Sequence, residues 1–182
     1  RREGIRKATD VLVDMVEEAT ASGIQASHLL FDSWFAYPVI MRNLLARGMH
    51  ALCMLKVTEK IFYRYPGEEL HLAAIYRKIR KRPGRAKVLA SVMVEIGEDE
   101  NGVPVSAKIV FVRDRRSKKW IALLSTDISL TEEQIIMTYK RRWDIEVFFK
   151  VAKSFLNLAR ECQGRSYDAL VAHTAVVCCR YV

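Results

Sequence analysis

Cysteine is scarce in this chain of 182 residues, which has four: Cys53, Cys162, Cys178 and Cys179. They form no C-x-x-C pair and lack the Cys and His spacing of a zinc site. The four histidines are scattered, without H-x-H or H-E-x-x-H spacing. We therefore expect reduced, mostly buried thiols and structural histidines, rather than a disulfide framework or a zinc centre.

The chain also lacks a long apolar segment. Its apolar stretches fall well short of the roughly 20 residues that a membrane helix needs. The N-terminus has no basic, apolar and small-residue layout of a signal peptide. We therefore expect a cytoplasmic protein with no membrane partner. With 51% hydrophobic residues, the chain is long enough for one globular domain with a sizeable core.

Positive charge is in excess and is clustered. Lys and Arg number 30 against 21 Asp and Glu, which gives a formal charge of +9. The basic residues concentrate in three runs, at 76–87, 113–119 and 140–142. One such run is usually solvated surface. Three of them favour a polyanionic partner, so we expect nucleic acid.

The first third of the chain has a strand–helix–strand pattern. Apolar spacings of three and four predict a helix at about 5–19. A short buried strand at 28–31, a helix at 35–47 and a strand at 51–56 follow. This order predicts a parallel strand pair, which places Asp32 at the carboxyl end of its strand. Open α/β sheets bind their ligands at that edge.

The middle of the chain has a mostly β pattern. We predict strands at 61–65, 88–96, 103–112 and 120–125, with an Asn101-Gly102 turn and one or two helical turns within 70–80. The last third is helical again. Thr131 and Gln134 have the spacing of a capping box, which predicts one helix from there to about Leu158. A final helix follows from about Tyr167.

A polar stripe lies within the predicted helix that begins at Thr131. Tyr139, Arg142, Glu146 and Lys153 recur at offsets of three, seven and fourteen. Seven helical residues fall only about 20° short of two full turns, so the four would share one face. Spacing alone leaves two interpretations open. One is a surface ion pair between Arg142 and Glu146, worth roughly 0.2–0.5 kcal/mol; the other is an acid flanked by phosphate-binding groups.

The stripe resembles a family signature. The pattern Y-x2-R-x3-E-x6-K, with Trp143 after the arginine and Ile145 before the glutamate, resembles the signature of bacterial DDE insertion-sequence transposases. The block LLFDSWF at 29–35 is similar to the strand end that carries the second catalytic aspartate of that family, here Asp32. A β insertion between that aspartate and the glutamate is also typical of the family. The resemblance covers nearly the whole chain.

The resemblance implies a fold, a metal site and an activity. It implies an RNase H-like α/β fold in which two aspartates and one glutamate bind two Mg²⁺ ions, with Mn²⁺ as a substitute. Asp32 and Glu146 would be catalytic, metal-binding residues, and Tyr139, Arg142 and Lys153 would contact DNA phosphates. The implied reaction is cleavage and strand transfer at transposon ends. Its partners would be end and target DNA, bound by a homodimer of the full-length enzyme.

Tryptophans have a further implied role. Some family members place a tryptophan on a strand of the insertion, where it receives a base flipped out of the DNA end. Trp120 has a similar position, although packing at the start of a strand explains it slightly better. We predict that Trp34 and Trp143 pack around the two acidic positions.

One family feature has no counterpart here. The first catalytic aspartate lies on a strand upstream of the opening helix, and Asp10 and Asp14 sit inside that helix. We therefore expect a fragment without its natural N-terminus and first strands, inactive alone. The expected parts are a first core portion (1–57), a mostly β insertion (58–127) and C-terminal core helices (128–182).

Other functions account for less of the sequence. A catalytically inactive DNA-binding remnant is the main alternative, and it would differ from the enzyme in metal dependence. An RNA-binding accessory protein of translation would explain the charge but not the stripe, and it would need aromatic RNA-binding signatures. Another RNase H-like nuclease would share the acids without the whole stripe.

Overall fold

The computed structural model of the chain describes residues 6–114, 119–158 and 166–181. Within these residues the fold is mixed α/β, with seven strands and six helices, as the α/β prediction required. In chain order the elements are α1 (Ala8–Ala21), β1 (His28–Phe31), α2 (Pro38–Ala46), β2 (His50–Leu55), β3 (Phe62–Tyr65), β4 (Glu68–His71), α3 (Leu72–Lys78), β5 (Val88–Glu98), β6 (Pro104–Arg113), β7 (Trp120–Ser125), α4 (Glu132–Lys140), α5 (Trp143–Ser154) and α6 (Tyr167–Tyr181).

All seven of these strands belong to one sheet, in the order β1-β2-β7-β6-β5-β3-β4. β1 and β2 are parallel, with His28 opposite His50 and Phe31 opposite Cys53, as the strand–helix–strand pattern predicted. The other neighbouring pairs among the described strands are antiparallel. The sheet is therefore mostly antiparallel, and its one parallel pair lies at the edge that leads to Asp32.

The structure contains a hairpin that the sequence interpretation missed. β3 and β4 pair in antiparallel register, with Tyr65 opposite Glu68. The turn contains Gly67, whose φ of +78° is a conformation that glycine adopts without strain. The Pro66-Gly67 dipeptide is a usual turn signal and could have indicated the hairpin. Of the helical turns expected within 70–80, the structure has α3, which begins at Leu72.

The hydrophobic core covers both faces of the sheet. Side chains alternate along a strand, so neighbouring β2 residues face opposite sides. Cys53 joins the larger cluster, which α2 covers with Met41 and Leu44. Leu52 joins a smaller cluster with Ile135 of α4. Because both faces are covered, the central strands read as nearly continuous apolar runs.

The cysteines are only partly as expected. Cys53 is fully buried, and burial raises the pKa of its thiol. Cys178 and Cys179 on α6 are exposed, so the prediction of buried thiols is wrong for them. Cys162 lies outside the described residues. No helix in the described part of the chain is long and apolar enough to cross a membrane.

The chain divides into two compact units, residues 1–139 and 140–182. The first contains the sheet, α1 to α3 and nearly all of α4. The second contains α5 and α6, which pack together. Phe148 of α5 meets Tyr181 of α6 edge to face, with ring centroids 4.8 Å apart, and Ala152 and Val177 are buried at 0% and 1% exposure.

The single helix predicted from Thr131 to Leu158 is wrong, because the structure has two helices there. The start is as predicted: Thr131 Oγ1 accepts the Gln134 amide at 3.2 Å, and Gln134 Oε1 accepts the Thr131 amide at 2.8 Å. α4 ends at Lys140. At the break the Asp144 amide donates to the Arg141 carbonyl at 2.9 Å. This three-residue bond tightens the chain locally, and α5 then begins at Trp143.

Candidate functional site

Asp32 lies where the sequence predicted it, directly after β1 at the carboxyl end of the strand. Its carboxylate is exposed. Oδ1 accepts the backbone amide of Trp34 at 2.8 Å, which is a local turn that aspartate favours. Phe31 before it and Ala36 after it are only 6% and 2% exposed. The core therefore holds both sides of the loop and fixes this carboxylate at the sheet edge.

The first residue of β1 contacts the segment that follows β7. His28 Nε2 lies 3.1 Å from Asp127 Oδ2, and Asp127 Oδ1 accepts the Ser129 amide and hydroxyl at 3.0 and 2.6 Å. The Ser129 hydroxyl contributes most to holding the pKa of the Asp127 carboxyl below its usual value, and His28 adds to this effect. His28 and Asp127 are 99 positions apart, so no sequence pattern could indicate this contact.

We predict that Asp127→Asn makes stability less dependent on pH. A lowered folded-state pKa means that the charged Asp127 stabilises the fold above the unfolded-state pKa of about 3.9. This contribution is lost as the pH falls through the folded-state pKa. Urea unfolding should therefore show the wild type about 1.5 kcal/mol more stable at neutral pH, with the difference disappearing in acid.

Glu59→Gln provides the control for this prediction. Glu59 is an exposed carboxylate in the loop between β2 and β3. Its replacement should change the free energy of unfolding by less than about 0.5 kcal/mol, as is usual for exposed positions. A difference between Asp127→Asn and the wild type that stays constant from neutral to acid pH would contradict the proposed role of the Asp127 charge.

Three of the four signature residues share one face of the second unit. Arg142 precedes α5, and its Nη2 lies 3.0 Å from Glu146 Oε1, with side chains 26% and 42% exposed. Lys153 Nζ lies 5.9 Å from the centre of the Phe149 ring. The surface ion pair considered from spacing alone is therefore present. Tyr139 lies on α4 in the first unit, so the four residues do not share one continuous helix.

The two candidate catalytic acids belong to different units. Asp32 lies in the first and Glu146 in the second. Both are exposed carboxylates, and their oxygen atoms are the ligands that hard divalent cations prefer. Within the described residues no group of three or more His, Cys, Asp or Glu side chains is arranged to hold a metal ion.

Trp120 packs in an aromatic cluster. Its ring stacks on Tyr76, with centroids 4.5 Å apart, and meets Phe111 edge to face at 5.3 Å. The side chain is half-buried. The sequence left two roles open for Trp120, packing and DNA contact, and these contacts correspond to packing. The packing predicted for Trp34 and Trp143 is wrong, because these residues are 69% and 60% exposed.

The basic run at 76–87 is partly neutralised by nearby acids. Arg82 donates twice to Glu132, at 2.7 Å each, and these bonds raise the pKa of the Arg82 guanidinium. Lys78 lies 2.6 Å from Glu68. In the second run Arg113 donates to the carbonyls of Gly84 and Ala86 in the loop before β5, while residues 115–118 lie outside the described part. Part of this positive charge therefore forms ion pairs and hydrogen bonds within the chain rather than facing a partner.

Comparisons with known proteins match this chain to one family. A family model described as "Transposase DDE domain" matches residues 3–182. None of the curated proteins compared with the chain matches it. Among solved structures, the chain is similar to piggyBac transposase in the cryo-EM structure of its synaptic complex with hairpin DNA. The TM-score is 0.54 at 13% identity, over 97% of this chain and 34% of that one. The chain thus spans about a third of that protein, and the likeness concerns the fold alone.

Proposed function

The chain belongs to the transposase DDE domain family, and from this membership we propose that it is the catalytic part of a DNA transposase. The family predicted from the signature is thereby confirmed. The proposed reaction is cleavage of DNA strands and their transfer at transposon ends, as in a bacterial insertion sequence. The single observation that carries the proposal is the family match over 3–182, which includes both Asp32 and Glu146.

We further propose an RNase H-like core. The first core part would comprise 1–57 and the C-terminal helices 128–182, with 58–127 as a β insertion between the two acids. The parallel β1–β2 pair, with Asp32 at its carboxyl edge, supports this proposal. The strands of 58–127 continue the same sheet, so the insertion would extend the core rather than fold separately.

Asp32 and Glu146 would hold divalent cations, Mg²⁺ or in its place Mn²⁺. Such ions activate the attacking oxygen and stabilise the leaving oxygen in an in-line phosphoryl displacement. The protein contributes orientation. The Trp34 amide holds one oxygen of Asp32, and the Arg142 guanidinium holds one oxygen of Glu146. Each of these bonds restricts the rotation of its carboxylate before substrate binds.

The DNA would be contacted by the remaining signature residues. Arg142, directly before α5, contacts Glu146, and Lys153 lies seven residues after Glu146 on the same face of the helix. Phosphates near the acid would therefore meet two cations. We propose the same partner for Tyr139 and, through its half-exposed ring, for Trp120. The formal charge of +9 suits transposon-end and target DNA. The full-length protein would act as a homodimer on that DNA.

A catalytically inactive DNA-binding remnant is the second candidate. The specific observation in its favour is the Arg142–Glu146 ion pair at 3.0 Å, because such a pair can serve structure alone. The two candidates differ in metal dependence. The enzyme would cleave DNA only with a divalent cation, whereas the remnant would bind DNA equally with and without one.

Arg142→Ala tests the DNA contact. If Arg142 pairs with a phosphate, its loss should weaken DNA binding at each salt concentration and reduce the slope of log K against log salt by about one unit. Fluorescence anisotropy with end-labelled DNA measures both quantities. Arg180→Ala, an exposed arginine in the last turn of α6, is the control and should leave the slope unchanged. Equal slopes for wild type and Arg142→Ala would reject the contact.

A further inference from the structure

Ser27, His28 and Asp127 form a linked set of side chains where β1 begins. Ser27 Oγ lies 2.9 Å from His28 Nδ1, and His28 Nε2 lies 3.1 Å from Asp127 Oδ2. These distances suit a nucleophile, its general base and an acid that orients the base. At roughly 3.3 Å per strand residue, His28 lies about 13 Å from Asp32 along β1. The set is therefore separate from the candidate catalytic carboxylate.

Asp127 determines which ring nitrogen of His28 carries the proton. Hydrogen bonds from Ser129, with a contribution from His28, hold the pKa of the Asp127 carboxyl below its usual value. The carboxylate is therefore ionised at neutral pH and can only accept hydrogen bonds. A neutral His28 ring must then donate from Nε2, which leaves Nδ1 without a proton. Nδ1 accepts the bond from the Ser27 hydroxyl and is placed to take up its proton.

The surrounding fold holds the base and the acid in place. The Ser27 carbonyl accepts the His50 amide at 2.9 Å, so pairing with β2 fixes the backbone beside the nucleophile. The His50 ring lies 5.4 Å from that of His28. The side chains of His28 and Asp127 are 21% and 17% exposed, whereas Ser27 is exposed. A hydroxyl that solvent and ligands can reach is thus bonded to a base that is largely shielded.

A cleft of about 430 Å³ lies beside Ser27, within the size range of small-molecule sites. Its lining includes three apolar side chains, those of Ile24, Ala26 and Met49. Arg47 also lines the cleft, but its Nε donates to Glu17 at 3.0 Å, so a nearby acid already matches its charge. The lining therefore favours a small neutral ligand with an apolar part over an anion.

We propose that Ser27, His28 and Asp127 form an esterase site, which hydrolyses small neutral esters through an acyl-serine intermediate. His28 Nδ1 takes the Ser27 proton while Oγ forms a bond to the acyl carbon. The ester C–O bond breaks, and the leaving alcohol receives this proton. Water then gives a proton to His28 and attacks the acyl carbon, and Ser27 Oγ leaves with that proton as the acid is released. Asp127 is a positioning residue. The inference does not rest on the proposed function.

Labelling with a fluorophosphonate tests the nucleophile. This probe forms a P–O bond to an activated serine and releases fluoride, while the serine proton passes to the base. Mass spectrometry should find a single adduct on Ser27 of the wild type and none on Ser27→Ala. His28→Gln should slow labelling about 100-fold or more, because it removes the general base. Ser22→Ala, which removes an exposed serine from the same connection between α1 and β1, should label like the wild type.

Hydrolysis of p-nitrophenyl acetate tests turnover. The wild type should release p-nitrophenol in a burst of about one equivalent per chain before a slower steady phase, and Ser27→Ala should show no burst. Asp127→Asn, checked for folding by circular dichroism, should slow the burst at least about tenfold, because asparagine has no charge to stabilise the protonated His28 ring. In mildly alkaline buffer, ¹⁵N NMR should show the proton of His28 on Nε2, and Asp127→Asn should lower the share of this tautomer.

Several results would overturn the inference. A wild type that forms no adduct with the probe would do so, as would labelling that His28→Gln leaves unchanged. A burst that persists in Ser27→Ala would assign the hydrolysis to another nucleophile. A His28 proton on Nδ1, or a burst rate that Asp127→Asn does not alter, would reduce the three side chains to a structural contact at the start of β1.

Discussion

Replacing Glu146 with glutamine, in a cleavage-competent protein that carries this chain, should lower strand cleavage about a thousandfold. DNA affinity should stay within about twofold, because the carboxylate of Glu146 makes no phosphate contact that the substitution could remove. Glutamine has nearly the same shape and can still accept a bond from Arg142. It lacks the negative charge that binds a divalent cation, and such cations stabilise phosphoryl-transfer transition states by several kcal/mol. Cleavage of end-labelled DNA in Mg²⁺ or Mn²⁺ measures the rate.

Asp144→Asn is the matched control for this prediction. Asp144 and Glu146 are both exposed acids in the first turn of α5. At 100° per residue, two helical positions differ by about 200°, so they lie on nearly opposite faces. The Asp144 variant should cleave like the wild type. Wild-type cleavage by Glu146→Gln would reject the catalytic assignment, and loss of DNA binding with cleavage would make Glu146 a binding residue instead.

Asp32 could be predicted because local pattern and general topology agree there. A short apolar strand, a helix and a second strand imply a parallel pair, and the register of His28 with His50 has that geometry. Asp32 then lies at the carboxyl edge of the sheet, and this position does not depend on how the surrounding side chains pack. The helix start at Thr131 and Gln134 could be predicted for a related reason, because a capping box is formed within four consecutive residues.

Other features depend on contacts that sequence spacing does not encode. The pairing of His28 with Asp127 joins positions 99 residues apart. The break before α5 falls in a basic segment without glycine or proline, so no usual breaker marked it. The exposure of Trp34 depends on which residues of the loop after β1 pack into the hydrophobic core. The sequence favoured burial for Trp34, because large aromatic residues are usually buried.

The packing of Phe111 should have the largest effect on stability. This residue is 0% exposed in the central strand β6, and its ring lies 5.1 Å from Tyr76 and 5.3 Å from Trp120. Removing a buried phenylalanine ring costs about 3–5 kcal/mol of unfolding free energy, since lost burial and an unfilled cavity add together. Urea unfolding followed by circular dichroism should show this loss for Phe111→Ala. Phe62→Ala, on β3 and 51% exposed, is the control and should cost less than about 1 kcal/mol.

The same experiment tests whether 58–127 folds with the rest of the sheet. The larger core cluster joins Phe31 and Cys53 to Tyr63, Ile75 and Phe111, so both parts of the chain share one core. A shared core unfolds in one cooperative step, which different probes report at the same urea concentration. In Phe111→Ala, tryptophan fluorescence and circular dichroism should therefore shift together. Exposure of Trp120 at a urea concentration that leaves Cys53 buried would instead mean that the β insertion unfolds by itself, because both residues lie in the first unit. The pairing of β2 with β7 would then be too weak to couple the two parts.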